Sequence, residues 1–272
     1  MSTGGFAAIP IDEVAEYWNA RPSNIRHSPK PLGTREYFNE VERRKYFVEP
    51  HIPKFAEFDR WQGKRVLEIG CGIGTDTMNF ARHGAQVTAV DISEQSVGIA
   101  RRRAEVFALE DRIRFYVGNA EELSDFVPVE AYDLVYSFGV IHHTPHPDHV
   151  IRQIGRYLRP GGTLKVMVYH RRSWKVLNIL LARGHGRFWA LDEILAAYSE
   201  AQTGFPAHTH ISLAISQCCW TDFGSVTSGF ITSSPIKYGI MCSTGTERHG
   251  VSGSCRRPPS GGWNVISGGT CV

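Results

Sequence analysis

Three glycines at alternate positions, Gly70, Gly72 and Gly74, follow the strand-like run Val66-Leu67-Glu68-Ile69 in the stretch VLEIGCGIGTDT. A turn without side chains lets a ligand approach the backbone, so glycine-rich turns after strands commonly hold nucleotide-like ligands. The dinucleotide fingerprint is G-x-G-x-x-G. Here its third position falls on Thr75 counted from Gly70, or on Thr77 counted from Gly72, which removes the specific signal for a nicotinamide oxidoreductase. Further on, His142 and His143 follow the apolar run YDLVYSFGV. An imidazole titrates near neutrality and suits general-base work, although paired histidines in such loops also serve as hydrogen-bonding structural residues. His146 and His149 lie in the same stretch, but Pro145 and Pro147 prevent a regular helical face of ligands, and no metal is expected.

The elements that position these residues alternate in type. Short apolar runs predict strands at 65–69, 86–91, 113–117, 132–137 and 163–169, with helical patterns at about 75–84, 93–108, 120–126 and 147–158. Strands joined by helical crossovers build a parallel sheet covered on both faces, so the fold class is α/β. LRPGG at 158–162 reads as the end of a helix turning into the fifth strand. Upstream, Ile11, Val14, Ala15 and Trp18 give a short amphipathic helix after Pro10, and Thr34 caps a second through REYFNEVERRKYFVE. A third short helix carries Phe55, Phe58 and Trp61. These form an N-terminal helical lid over residues 1–60. Tyr17, Trp18, His27 and Tyr46 are its candidate substrate contacts, with core packing as the alternative use of such aromatics.

The pattern E-x-G-x-G-x-G, with Glu68 two residues before the first glycine, resembles motif I of the class I S-adenosylmethionine-dependent methyltransferases. Further landmarks follow in that family's order: Asp91 ending QVTAVDIS, then GNAEEL, YDLVYSFGVIHH and LRPGGTL. The resemblance is strong over roughly residues 60–170. It implies a Rossmann-like fold and S-adenosylmethionine as cofactor. Glu68, Gly70, Gly72 and Gly74 would serve its amino-acid end, with the helix start after Gly74 offering amides to the carboxylate. Asp91 would hold both ribose hydroxyls, since a carboxylate can accept two hydrogen bonds from a cis-diol. Ile92 beside it, Asn119 and Ala120 at the adenine, and Ser137 in the fourth strand complete the implied cofactor set. Asn119 departs mildly from the family's frequent Asp. Asp91 and Asn119 also suit helix caps, and the cap and ligand roles can coexist. Residues 1–60 and 170–204 resemble the accessory segments of bacterial small-molecule enzymes of the ubiquinone and menaquinone group.

Composition bounds the rest. The formal net charge of +3 gives no electrostatic case for nucleic acid, and the basic run Arg101-Arg102-Arg103 reads as a solvated helix face. The start lacks a signal peptide, and no apolar run approaches the ~18 residues of a membrane span, so a cytosolic protein is expected. Residues 61–170 are the cofactor-binding domain, and 171–204 read as a helical cap broken at Gly184 to Gly186. Beyond 204 the pattern changes. Only Asp222, Lys237, Glu247, Arg248, Arg256 and Arg257 are charged, and Cys218, Cys219, Cys242, Cys255 and Cys271 are concentrated there. No CxxC pair exists, which speaks against zinc. Residues 205–272 therefore read as an atypical tail, frameshifted or poorly ordered, with weak strands near 226–232 and 236–242. A sheet of five parallel strands with one bare edge is the expectation. The function expected is methyl transfer to a small molecule. A cofactor binder without turnover is the first alternative, and the oxidoreductase the second.

Overall fold

The computed structural model describes residues 10–169, 181–182, 187, 189, 227–230 and 239–244. The N-terminal segment forms α1 (Ile11–Ala20), α2 (Arg35–Val48) and α3 (Ile52–Ala56), with 3-10 turns at Ile25–His27 and Phe58–Trp61. The alternating region follows as β1 (Arg65–Ile69), α4 (Thr75–Arg82), β2 (Gln86–Asp91), α5 (Glu94–Phe107), β3 (Ile113–Val117), β4 (Tyr132–Phe138), α6 (Pro147–Tyr157) and β5 (Leu158–Tyr169). Caps fix the helix starts: the Thr34 hydroxyl accepts from the Tyr37 amide, and the Ser93 hydroxyl from the Ser96 amide.

The sheet order is β3-β2-β1-β4-β5-β7-β6, with β6 at Thr227–Phe230 and β7 at Gly239–Thr244. The pairs β1–β2, β1–β4, β2–β3 and β4–β5 are parallel. Alternate residues feed two apolar layers. Leu67, Ile69 and Val135 pack with Ile151, Ile154 and Tyr157 on one face, while Val66, Leu134 and Tyr136 pack with Met78, Phe80 and Trp61 on the other. Burying both faces of β1 and β4 is what makes them read as continuous apolar runs.

Four details differ from the sequence reading. The 120–126 pattern forms a 3-10 turn at Ala120–Asp125, with Glu122 out of helical conformation. Residues 158–162 already belong to β5, where pairing jumps from Tyr132–Leu158 to Leu134–Thr163 across an irregularity. Arg103 is fully buried, unlike the exposed Arg101 and Arg102, because its guanidinium reaches inward to the Thr75 hydroxyl and to Glu42. Finally, the β5 edge is not bare. β7 pairs antiparallel with β5 from Leu164–Thr244 to Tyr169–Gly239, and β6 pairs antiparallel with β7. Ladder pairing asks only for extended backbone, whereas the composition argument looked for charge and periodicity. The helical cap expected at 171–204 and the rest of the tail lie outside the described residues, apart from the short pieces given above. Among the described residues, no helix is long and apolar enough to cross a membrane.

One lysine ties the N-terminal segment to the sheet. Lys165, buried in β5, donates to the carbonyls of Phe55 at 2.7 Å and Ala56 at 3.3 Å, and pairs with Glu57. Burial pulls its ammonium below the usual lysine range, while Glu57 opposes the shift.

Candidate active site

At the exit of β1 the chain runs through Gly70, Gly72 and Gly74 with φ of +81°, +52° and +76°, all in the region that favours glycine. The first two serve different ends. A Cβ at Gly70 would collide with the Val140 side chain, so this glycine lets the loop press against the exit of β4. A Cβ at Gly72 would meet nothing within 4 Å, so this glycine leaves space open. The Gly70 and Cys71 amides both donate to the Val90 carbonyl, at 2.7 and 3.0 Å, locking the exits of β1 and β2 together.

Asp91 ends β2. One carboxylate oxygen accepts from the Gly72 amide at 2.7 Å and the other from the Ser93 amide at 2.9 Å. Burial pushes its pKa up, against the pull of these amides. The helix cap is Ser93 rather than Asp91, which leaves each Asp91 oxygen with further acceptor capacity. The Ser93 hydroxyl donates in turn toward Asn19 of α1. Asn119 does cap its turn, its side-chain oxygen accepting from the Glu121 amide at 3.0 Å.

A cavity of about 280 Å³ opens at these strand ends. Of the residues singled out from sequence, Trp18, Gly70, Gly72, Asp91, Ile92, Asn119, Ala120 and His143 line it. The others are placed elsewhere among the described contacts. Glu68 lies beneath the loop, its carboxylate accepting from the Thr77 hydroxyl at 2.5 Å. Gly74 is the N-cap residue of α4. Ser137 is fully buried in β4. His142 is fully buried next to His143, the two rings 4.0 Å apart, because neighbouring positions of a 3-10 turn diverge toward core and cavity. Tyr17 packs edge-on to Trp18 at 5.2 Å, and His27 ends the 25–27 turn. The Tyr46 hydroxyl donates to Asp76 at 3.1 Å instead of meeting the cavity.

Sequence reading missed Lys45 and Glu49, which line the cavity from α2 and the residue after it. A signal existed. Phe38 and Val41 are fully buried, and Lys45 continues their i, i+3, i+7 stripe, so a charge stands where the helix turns inward. Lys45 Nζ lies 2.8 Å from Asp76, which also accepts from the Tyr136 hydroxyl at 3.0 Å. Asp76 in turn acts on Glu68. Burial first, and then the Asp76 charge, push the Glu68 carboxyl up to about 8.

That shift has a consequence for stability. Unfolded, Glu68 ionises near 4.5; folded, it keeps its proton to about 8. The folded chain therefore binds more protons across that window, and stability falls as pH rises through it. Glu68→Gln keeps an acceptor for Thr77 but cannot ionise. Scanning calorimetry from about pH 5 to pH 8 is expected to show the wild-type Tm dropping relative to the variant. Parallel curves would mean that Glu68 ionises normally.

Residues 66–162 match the protein family described as "Methyltransferase domain". The ubiquinone biosynthesis O-methyltransferase of Aeromonas salmonicida is 34% identical over 119 residues, which are 44% of this chain and 49% of that protein. The 27-O-demethylrifamycin SV methyltransferase of Amycolatopsis mediterranei is 41% identical over 103 residues, 38% of this chain and 37% of that one. The chain thus spans half or less of the length of these relatives. Magnesium protoporphyrin IX methyltransferase from Synechocystis PCC 6803, solved with S-adenosylhomocysteine bound, shares the fold. Its TM-score is 0.60 at 20% identity, over 87% of this chain and all of that one (100%). Geranyl diphosphate C-methyltransferase from Streptomyces coelicolor A3(2) shares it too, with TM-score 0.58 at 16% identity over 88% and 99% of the two chains.

Proposed function

We propose that the chain is a class I S-adenosylmethionine-dependent methyltransferase and transfers the cofactor's methyl group to a small molecule, a reading that the methyltransferase-domain match over residues 66–162 supports. The observation that carries this reading is convergence. The open side of Gly72, the Asp91 carboxylate and Asn119 come from three successive strand exits and line one cavity. Such crevices at the carboxyl ends of parallel strands are where α/β sheets bind ligands. In this reading Asp91 takes the ribose hydroxyls, with Ile92 beside it and Asn119 and Ala120 at the adenine.

The bound cofactor supplies a methyl group on a sulfonium, an electrophile that needs no further activation. The chain's own work is to position the acceptor, take its proton and exclude water. His143 is the proposed base and Trp18 the cover, their rings 5.7 Å apart across the cavity wall. Phe138 and Met167 give the acceptor an apolar wall. The two relatives named for ubiquinone biosynthesis and for 27-O-demethylrifamycin SV support a small-molecule acceptor. With a net charge of +3, a nucleic-acid acceptor is not part of the proposal, and the cytosol is the proposed location.

Calorimetric titration tests the reading. S-adenosylhomocysteine is expected to bind and NAD is not. Asp91→Ala should weaken the former by roughly 1.5–3 kcal/mol, the range of hydrogen bonds to a charged group. Unchanged affinity in a folded Asp91→Ala protein would remove Asp91 from the ribose. Release of S-adenosylhomocysteine from labelled cofactor mixed with a metabolite extract separates an enzyme from a binder that has lost turnover.

A further inference from the structure

Apart from the titratable His143, the charged side chains that line the cavity among the described residues are Lys45, Glu49 and Asp91. Lys45 and Asp91 have tasks already described. The Lys45 ammonium lies 2.8 Å from Asp76, and the Asp91 oxygens accept from the Gly72 and Ser93 amides. Glu49 is buried, at 8% exposure, and the cofactor reading gives it no task. Its backbone is fixed on both sides. As the residue after α2, it donates its amide to the Lys45 carbonyl at 2.8 Å, and its carbonyl accepts from the Ile52 amide at 3.1 Å.

The sheet order places Glu49 at the acceptor's end. Asn119 follows β3, Asp91 ends β2 and the glycines follow β1, so the proposed cofactor takes the exits of those three neighbouring strands. The exits of β4 and β5 remain for the acceptor, and there Phe138 and Met167 line the cavity. The junction between α2 and α3, which carries Glu49, is seated on this end. The His51 ring lies 5.8 Å from the Phe138 ring and the Phe55 ring 6.1 Å from it, while Lys165 of β5 holds the Phe55 carbonyl at 2.7 Å. An apolar wall and a buried carboxylate therefore share the acceptor's end. A carboxylate offers about four lone-pair sites. In a buried setting a charged donor satisfies them best. With the Lys45 ammonium held by Asp76, that donor comes from the ligand.

We propose that Glu49 is a specificity-determining residue that binds an ammonium group of the acceptor, so that the site takes amphipathic amines, with an apolar body against Phe138 and Met167, over neutral or anionic molecules of the same shape. The proposal rests on the reading of this cavity as an S-adenosylmethionine site. It deepens that reading by giving the acceptor a charge as well as a size.

The test titrates three probes into wild-type and Glu49→Gln proteins saturated with S-adenosylhomocysteine. Tyramine, 4-ethylphenol and 3-(4-hydroxyphenyl)propionate share a phenol ring and differ in carrying a cationic, neutral or anionic side chain. Wild type is expected to bind tyramine most tightly and the propionate least. Glu49→Gln keeps the size of the side chain and removes its charge. It should weaken tyramine roughly tenfold, the scale of a charge-assisted contact, leave 4-ethylphenol within about threefold and tighten the propionate. The same order and spacing of the three probes in both proteins overturns the proposal, as does a wild type that binds none of them. Loss of S-adenosylhomocysteine affinity in a folded Glu49→Gln protein also overturns it, since Glu49 would then belong to the cofactor. If Glu49→Gln does not fold, the wild-type series decides: tyramine tighter than 4-ethylphenol supports the proposal, and tyramine no tighter than 4-ethylphenol overturns it. A wild type that does not bind S-adenosylhomocysteine fails at the earlier step, the cofactor reading, and takes this inference with it.

Discussion

Replacing His143 with alanine is expected to slow methyl transfer by roughly 10²–10⁴, the usual reach of a positioned base, while S-adenosylhomocysteine affinity stays within a few-fold of wild type. Of the two adjacent histidines, only His143 lines the cavity, together with Gly139, Val140 and Thr144 at the exit of β4. Trp18 of α1 lies against its ring at 5.7 Å, so the proposed base is buried beneath α1. His142 is fully buried beside it. His142→Ala should therefore cost stability before it costs turnover. Steady-state rates measured alongside calorimetric titrations keep the two effects apart. The size of the loss also reports on the acceptor. A hydroxyl or amine needs its proton removed, so a large drop indicates oxygen or nitrogen. A thiol or an acidic carbon gives up its proton more readily and needs less help, so a small drop indicates sulfur or carbon. A His143→Ala enzyme with full turnover would strike His143 from the mechanism.

Asp76→Ala is expected to destabilise the fold by about 3–5 kcal/mol, as breaking a buried ion pair from one side does. In a chain of this size that lowers Tm by on the order of 10 °C. Asp76 is 2% exposed and serves three donors, namely the Lys45 ammonium and the hydroxyls of Tyr46 and Tyr136. Removing it leaves all three in a buried space without their acceptor. Burial and the Asp76 charge both push the pKa values of the two phenols well up, which keeps them neutral donors to Asp76. Asp76→Asn keeps an acceptor and loses the charge, so its loss should be smaller. Thermal unfolding of the two variants side by side measures this. Equal Tm values for wild type and Asp76→Ala would mean that the cluster contributes nothing net to stability.

The parallel strands were legible because burial on both faces leaves a simple trace. Val66-Leu67-Glu68-Ile69 and YDLVYSF are apolar runs of strand length, and β1 falls where the run predicts. Glu68 is the exception inside such a run. The resemblance sets it with the cofactor; in the structure its carboxyl accepts from the Thr77 hydroxyl, and burial pushes its pKa up to about 8. The partners of Asp76 could not be read at all. Lys45, Tyr46 and Tyr136 stand on α2 and β4, and no local pattern records which distant acceptor a phenol or ammonium will find. Arg103 hid in the same way, as the inward third of a run of three arginines whose first two are solvated. The strand at 227–230 lies within the weak segment marked at 226–232, and that at 239–244 overlaps the one at 236–242 but runs two residues past it; the pairing of β7 on β5 and of β6 on β7 is a property of backbone geometry that composition does not carry.

The Lys165 clasp sets an order of events. Its ammonium closes on groups 108 to 110 positions earlier in the chain, at Phe55, Ala56 and Glu57. This clasp can therefore close only when the fifth strand arrives. A contact of such long sequence separation is formed late and slows folding. During synthesis, α1 and α2 meet their anchors at Asp76, Ser93 and Arg103 before residue 165 emerges, and a chain that stops short of residue 165 lacks only the clasp on Phe55, Ala56 and Glu57.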